Sequence, residues 1–121
     1  MWETDVDVLP THQVKVEPEQ QTIRIEGSDL DNVFAGWSRR ASISWPERGA
    51  ALDLESEAPL DFLVLYTPPG EDFFCAEPVS NITDAFNVAK EGIESSGLIT
   101  LAPGESCSAK TRFVPRLNTP T

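Results

Sequence analysis

LDFLVLY, residues 60–66, is apolar at almost every position. In an extended chain, successive side chains point to opposite faces, so the even-numbered positions would line one face while Leu63 and Leu65 line the other. Apolar residues on both faces are typical of a strand that is covered on both sides, at the centre of a sheet or sandwich. We therefore predict a central strand over residues 60–66.

Shorter alternating runs flank this central strand. Residues 41–45, ASISW, alternate apolar and polar side chains up to Pro46, and residues 51–55, ALDLE, do so with Asp53 pointing outward. Further short strands are predicted over residues 14–17, 23–26, 73–77, 98–101 and 108–115. Short strands at intervals of about 8 to 12 residues, separated by proline and glycine turns, predict an all-β fold, an antiparallel β-sandwich.

The 121 residues are expected to form one domain or part of one, spanning residues 1–121, with an ordinary hydrophobic content of 40%. Four segments are predicted to lie outside the strands. These are an irregular opening over residues 1–10, a polar turn over 27–32, a loop or single helical turn over 88–92, and a frayed tail over 116–121.

The charge of the chain bears on its partners. With 20 acidic and 9 basic residues, the formal net charge is -11. Such a chain repels phosphate backbones and anionic lipid surfaces, so neither nucleic acid nor a membrane is expected as a partner. No apolar run approaches the roughly 20 residues of a membrane helix, and residues 1–5 lack a signal region, so a cytoplasmic location is expected. The negative charge does not argue against a neutral ligand.

No metal or cofactor is expected. Cys75 and Cys107 lack metal-ligand spacing, and free buried cysteines are favoured over a disulfide. His12, the only histidine, is interpreted as a surface residue. Residues 81–83, NIT, match an N-glycosylation acceptor, a match expected to be coincidental without a secretory signal.

The best catalytic candidate is Glu77, within FFCAEPVSNITDAFN at residues 73–87. Apolar residues and a thiol precede it, so desolvation is expected to disfavour its charged form and suit it to act as a general base. Pro78 is expected to end the strand there, which would place the carboxylate at a strand end. The alternative interpretation is an exposed loop carboxylate without function.

Several spaced motifs resemble one family. EPVS at residues 77–80, TDAFN at 83–87 and LAPGES at 101–106 resemble the C-terminal signature of the aldose 1-epimerase (galactose mutarotase) family. LDNVFAGW at residues 30–37 resembles that family's Asp-(His or Asn)-x-Phe segment. The resemblance runs from about residue 2 to 115 and concerns only the C-terminal part of the family. It implies the C-terminal portion of a galactose mutarotase-like supersandwich, with a sugar cleft across one sheet.

The resemblance also implies roles for individual residues. The family's base is a glutamate at the position of Glu77, and the aspartate matching Asp31 hydrogen-bonds a sugar hydroxyl; Asn32 and Trp37 are the other candidate substrate contacts. The implied reaction interconverts the α and β anomers of a hexose such as galactose or glucose. The family's acid and its helper are histidines without a counterpart in this sequence, and His12 falls outside their motifs.

Two other hypotheses remain beside the isomerase. One is a non-catalytic carbohydrate-binding β-sandwich module, in which Asp31, Trp37 or Tyr66 offers hydroxyl and stacking contacts. A position in the core is the favoured interpretation of Tyr66 and an equal alternative for Trp37. The other is an acidic interaction domain without a ligand. A partial sandwich is also expected to associate with itself or with a missing N-terminal half.

Overall fold

The computed structural model describes residues 1–4, 10–13, 22–90 and 96–117. The described residues form an all-β, sandwich-like fold with one short helix. The strands are β1 (Trp2–Thr4), β2 (Pro10–Gln13), β3 (Asp31–Ala35), β4 (Arg40–Trp45), β5 (Ala50–Ser56), β6 (Phe62–Tyr66), β7 (Cys75–Val79) and β8 (Thr111–Leu117). Helix α1 covers Ala85–Lys90, and a 3-10 turn covers Pro46–Arg48.

All described strand pairs are antiparallel. Strands β1 and β2 form a hairpin, and two three-stranded sheets have the orders β3-β6-β7 and β4-β5-β8. Strand β6 therefore lies at the centre of its sheet, which confirms the prediction made from residues 60–66. The predicted strands over 41–45 and 51–55 are also confirmed, as β4 and β5.

The register of the β3-β6-β7 sheet decides which side chains share a face. Val33 on β3 lies opposite Val64 on β6, which lies opposite Glu77 on β7. The neighbouring rows on the same face are Asp31, Tyr66 and Cys75 on one side and Ala35, Phe62 and Val79 on the other. Because side chains alternate along a strand, this face carries both candidate carboxylates.

The main core covers one end of that face. It contains the buried side chains of Trp2, Val33, Phe62, Ile82, Ala85 and Val88. Helix α1 contributes two of these residues, at a spacing of three that places them on one side of the helix, whereas Phe86 between them is exposed. Strand β1 and helix α1 thus close the end of the sheet around Phe62, while Asp31 at the other end stays exposed.

The second sheet has one apolar and one charged face. Leu52 and Leu54 on β5 point to the apolar face, and Leu54 is 2% exposed. On the opposite face, the Arg116 guanidinium on β8 donates two hydrogen bonds of 2.9 Å to the Asp53 carboxylate. Ser42 Oγ on β4 donates to the same carboxylate at 2.7 Å, so Asp53 links the three strands.

Two prolines lie inside strands. The expectation that Pro78 ends its strand is wrong, because β7 continues through Pro78 to Val79. Strand β7 is at the edge of its sheet, where a residue without an N–H group costs no hydrogen bond if its nitrogen points away from the neighbouring strand. Pro115 lies in the same kind of position in β8. Strand β7 also begins at Cys75 and not at Phe73.

Other segments also differ from the predictions. Residues 23–26 form no strand, because Ser28 folds back and donates two hydrogen bonds to the Ile25 carbonyl, from N at 3.0 Å and from Oγ at 2.6 Å. Residues 98–101 form no strand either; of their apolar side chains only Leu98 packs against the core, whereas Ile99 and Leu101 are exposed. The predicted strand over 14–17 lies outside the described residues.

Three of the segments predicted to lie outside the strands contain strand residues. Strand β1 and the first residue of β2 fall within the opening predicted to be irregular, and Trp2 is 4% exposed. The segment 31–35, for which no strand was predicted, is β3. The expected tail over 116–121 begins too early, since Arg116 and Leu117 belong to β8; residues 118–121 lie outside the described part.

Both cysteines are free, as expected, but Cys107 is exposed and Cys75 is only half-buried. Within the described ranges, there is no helix of the length and apolarity needed to cross a membrane.

Candidate functional site

An open hollow lies on the uncovered end of the β3-β6-β7 sheet. Its volume is about 650 Å³, within the range of roughly 300–1,000 Å³ that is usual for small-molecule sites. Asp31 lies on one edge strand, Glu77 and Val79 on the other, and Val64 and Tyr66 between them. The remaining wall is formed by residues 80–83.

Asp31 is positioned by the paired ends of β3 and β6. Thr67, which is 3% exposed, accepts a hydrogen bond at its Oγ1 from Leu30 N at 2.7 Å, and its own N donates to the Leu30 carbonyl at 2.8 Å. These two bonds fix the backbone immediately before Asp31, whose side chain points to the hollow and is exposed.

Glu77 is held by β7, opposite Val64 on the central strand. Its side chain is exposed and is not buried by the apolar residues that precede it. The alternation along β7 explains this exposure, because Ala76 and Pro78 point to the other face and leave Glu77 over the hollow. Across the described part of the chain, neither the Asp31 nor the Glu77 carboxylate has a hydrogen-bond or ion-pair partner, so both are available as acceptors for a ligand.

The wall over residues 80–83 is anchored from beneath. Ile82 is 1% exposed, and its N donates a hydrogen bond of 3.0 Å to the carbonyl of Ser96. The next residue, Gly97, has a φ of 76° and lies so close that a Cβ atom there would be 2.5 Å from the Ser80 carbonyl oxygen. The polar side chains of Ser80, Asn81 and Thr83 therefore stand on a fixed backbone at the rim of the hollow.

Two of the sequence-predicted contacts lie elsewhere. Asn32 follows Asp31 along β3, so its side chain points to the opposite face, where Nδ2 donates to the Trp2 carbonyl at 2.9 Å. Trp37 is half-buried, and its Nε1 donates to the Leu60 carbonyl at 3.0 Å. The structure brings Asp31 and Glu77 together at one hollow and uses Asn32 and Trp37 to hold the backbone.

Tyr66 is the lining residue that sequence reasoning undervalued. The alternation over residues 60–66 assigned it to the same face as Val64, but a core position was favoured for it. Tyr66 lies directly opposite Asp31 in the register of β3 and β6, so the pairing of these two strands would have placed it in the hollow. No strand was predicted over residues 31–35, so this pairing could not be inferred from the sequence.

The hollow suits a neutral polar ligand. Two carboxylates can accept hydrogen bonds from hydroxyl groups, and Val64, Val79 and Tyr66 offer apolar surface between them. No three His, Cys, Asp or Glu side chains of the described segments are grouped so that they could hold a metal ion. A larger trough of about 1220 Å³, lined by residues 22–29, 42–48 and 67–74, contains neither candidate carboxylate.

Two comparisons with known proteins bear on the family of this chain. A family model described as aldose 1-epimerase matches residues 1–114. The chain is also similar to the uncharacterized protein YphB of Escherichia coli (strain K12), with 36% identity over 88 residues, covering 67% of this chain and 29% of that protein. The chain thus spans less than a third of the length of that relative. Since the family model covers nearly the whole sequence and includes both strands that carry Asp31 and Glu77, the chain belongs to the aldose 1-epimerase family.

Proposed function

We propose that the hollow binds a hexose such as galactose or glucose, and that the chain is an isomerase component of the aldose 1-epimerase type. One observation carries this proposal: Asp31 and Glu77, from opposite edge strands, line one open hollow in a chain that belongs to this family. In this proposal, Glu77 is the base and Asp31 anchors a sugar hydroxyl.

The proposed reaction is the opening and reclosing of the sugar ring. Glu77 takes the proton of the anomeric hydroxyl, the electron pair forms the aldehyde C=O bond, and the bond between the anomeric carbon and the ring oxygen breaks. The ring oxygen must gain a proton at the same time. After rotation of the aldehyde, closure from the other face reverses these transfers and gives the other anomer.

The activity expected of these 121 residues is limited by the source of the proton for the ring oxygen. The only histidine, His12, lies on β2 opposite Glu3, and no histidine occurs among the described residues that line the hollow. Loss of a positioned acid commonly lowers a rate by about 10²- to 10⁴-fold. We therefore expect the chain alone to have weak mutarotase activity at most.

A coupled assay of glucose or galactose anomerisation tests the role of Glu77. Any rate above spontaneous mutarotation should fall to the background in Glu77→Gln, which keeps the shape of the side chain but removes its basic oxygen. Glu105→Gln is the matched control, because Glu105 is exposed and lies outside the hollow. Equal rates well above background for the wild type and Glu77→Gln would show that another group is the base.

The absence of a histidine from the described lining favours a second candidate, a non-catalytic carbohydrate-binding module. In that case both carboxylates accept hydrogen bonds from sugar hydroxyls and no proton is transferred. Binding of sugar by calorimetry, together with wild-type and Glu77→Gln anomerisation rates that both equal the background, would favour this candidate over the isomerase.

A further inference from the structure

We propose that Tyr66 is the sugar-contacting ring at the floor of the hollow, and that a bound pyranose lies over it while its hydroxyls reach Asp31 and Glu77. This inference rests on the proposed function, because it requires that a sugar occupies the hollow. It assigns the central contact of the site to a side chain that the sequence offered only as one of two possible stacking residues.

The register of the sheet leads to this position. Asp31 lies on β3 directly opposite Tyr66, and Glu77 lies on β7 opposite Val64, two residues along β6 from Tyr66. Neighbouring strands are about 4.8 Å apart, so the backbones that carry the two carboxylates are separated by roughly 10 Å across the sheet. Tyr66 and Val64 occupy the central strand between them, and a ligand that contacts both carboxylates must therefore lie over these two side chains.

Tyr66 is also braced for such a role. Its ring makes an edge contact with Phe73, with the ring centroids 6.3 Å apart and the planes at 60°. This contact restricts the ring, which lowers the entropy that a ligand would lose by ordering it. Among the described residues, the Tyr66 hydroxyl has no hydrogen-bond partner, so it can donate to or accept from a sugar hydroxyl.

The chemistry of a pyranose matches this combination. Its ring carbons present C–H groups on the faces, and its hydroxyl groups project around the edge. An aromatic floor with carboxylates on two sides satisfies both parts at once, because the C–H groups pack on the ring while the hydroxyls donate to carboxylate oxygens. An open-chain polyol has no flat C–H face to place on Tyr66, so it should bind more weakly than the pyranose.

A single tyrosine makes the test direct. Tyr66 is the only tyrosine of the chain, so ring-labelled tyrosine gives signals from this side chain alone. We expect saturable shifts of these signals on titration with galactose or glucose, and nuclear Overhauser contacts between the ring protons and the sugar protons. Sorbitol, the open-chain polyol, should cause smaller shifts at the same concentration.

Three variants distinguish the ring from a purely structural residue. By calorimetry, Tyr66→Ala should lower sugar affinity by about 3- to 10-fold, whereas Tyr66→Phe, which keeps the ring, should stay within about 3-fold of the wild type. Phe86→Ala, at an exposed ring on α1, should bind as the wild type does.

The outcomes separate the two proposals. If the wild type binds sugar and Asp31→Asn weakens binding, but Tyr66 shows no contacts to the sugar and Tyr66→Ala binds normally, the role of Tyr66 is overturned and the proposed site stands. If the wild type binds no sugar, both proposals fail. If Tyr66→Ala does not fold, the contacts measured in the wild type decide the question alone.

Discussion

At the scale of single residues, the site depends on the alternation of side chains along β3 and β7. Asp31 and Asn32 are adjacent in sequence, but one lines the hollow while the other hydrogen-bonds the backbone of β1. A shift of the register by one residue would exchange their faces and remove the carboxylate from the hollow. The hydrogen bonds between Leu30 and Thr67 oppose such a shift, because they fix the pairing at the end of β3.

Substitution of Gly97 is expected to destabilise the protein. It combines a φ of 76° with close approach to the Phe62 ring and the Ser80 carbonyl, so an added methyl group would strain the backbone and collide with the support of the hollow wall. We expect Gly97→Ala to lower the free energy of unfolding by about 2 to 4 kcal/mol, measured by urea denaturation.

Gly104→Ala is the control for Gly97→Ala. Gly104 has a φ of 85°, but no atom of the described residues lies within 4 Å of the place that an added methyl group would take, so only the backbone strain remains, about 1 kcal/mol. Equal losses of stability in the two variants would mean that the contact of Gly97 with the wall contributes nothing.

At the scale of elements, both edge strands that carry an internal proline are protected against further pairing. Pro78 in β7 and Pro115 in β8 have no N–H group to offer to another strand. This position also explains why the prediction failed at Pro78: a proline ends a strand with neighbours on both sides, but it is tolerated at a sheet edge. The sequence alone does not reveal which strand is at the edge.

The confirmed strand predictions rest on a clear pattern of side chains. Strands β4 and β5 alternate, and β6 is apolar on both faces. Strand β1 has only three residues, and β3 begins in a polar motif that was interpreted as a turn, so neither offers a period long enough to detect. Residues 98–101 have the composition of a strand, but Leu98 alone packs against the core.

The β4-β5-β8 sheet gives a prediction about pH. The hydrogen bond from Arg116 is the main cause that holds the pKa of Asp53 below its usual value of 3.8, and the hydrogen bond from Ser42 is the second cause. The folded state therefore binds this proton less readily than the unfolded state, so the contribution to stability is present above pH 3.8 and is lost as the pH falls through the lower pKa of the folded state.

Asp53→Asn should accordingly cause a small decrease in stability at neutral pH and a smaller one, or none, at a pH well below 3.8. The decrease should also shrink in high salt, because the ion pair is partly exposed. Urea denaturation of the wild type and of Asp53→Asn at the two pH values measures this difference in stability. A difference between wild type and variant that grows on acidification would contradict the assigned cause.

At the scale of the whole molecule, the described residues leave part of an apolar sheet face exposed. Phe113 and Leu117 on β8 lie on the same face as Leu54, yet they are 61% and 80% exposed. We expect this surface to bind a hydrophobic dye and to promote self-association at high concentration.

The double variant Phe113→Thr, Leu117→Lys should bind about half as much dye as the wild type, or less, and should sediment as a monomer over a wider concentration range. Phe86→Ser is the control, because Phe86 is 79% exposed on α1 and away from this sheet face. A wild type that is monomeric at high concentration and binds no dye would contradict the expectation.

The candidate site was predictable only in part. Glu77 and Asp31 were found through the motifs that carry them, and they line one hollow. The exposed state of Glu77, the opposite direction of Asn32 and the position of Tyr66 depend on the pairing of β3, β6 and β7, which joins strands that are far apart in the sequence. Such pairing is a property of the folded sheet and has no local signal in the sequence.

In the proposed site, one bound sugar contacts both Asp31 and Glu77. The decisive measurement is a calorimetric titration of galactose or glucose into the wild type, Asp31→Asn, Glu77→Gln and the control Glu105→Gln. Since hydrogen bonds to charged groups contribute about 1.5–3 kcal/mol, each site variant should bind about 10- to 100-fold more weakly, whereas the control should bind as the wild type does. A wild type that binds no sugar, or site variants that bind with unchanged affinity, would show that the hollow is not a sugar site built on these two carboxylates.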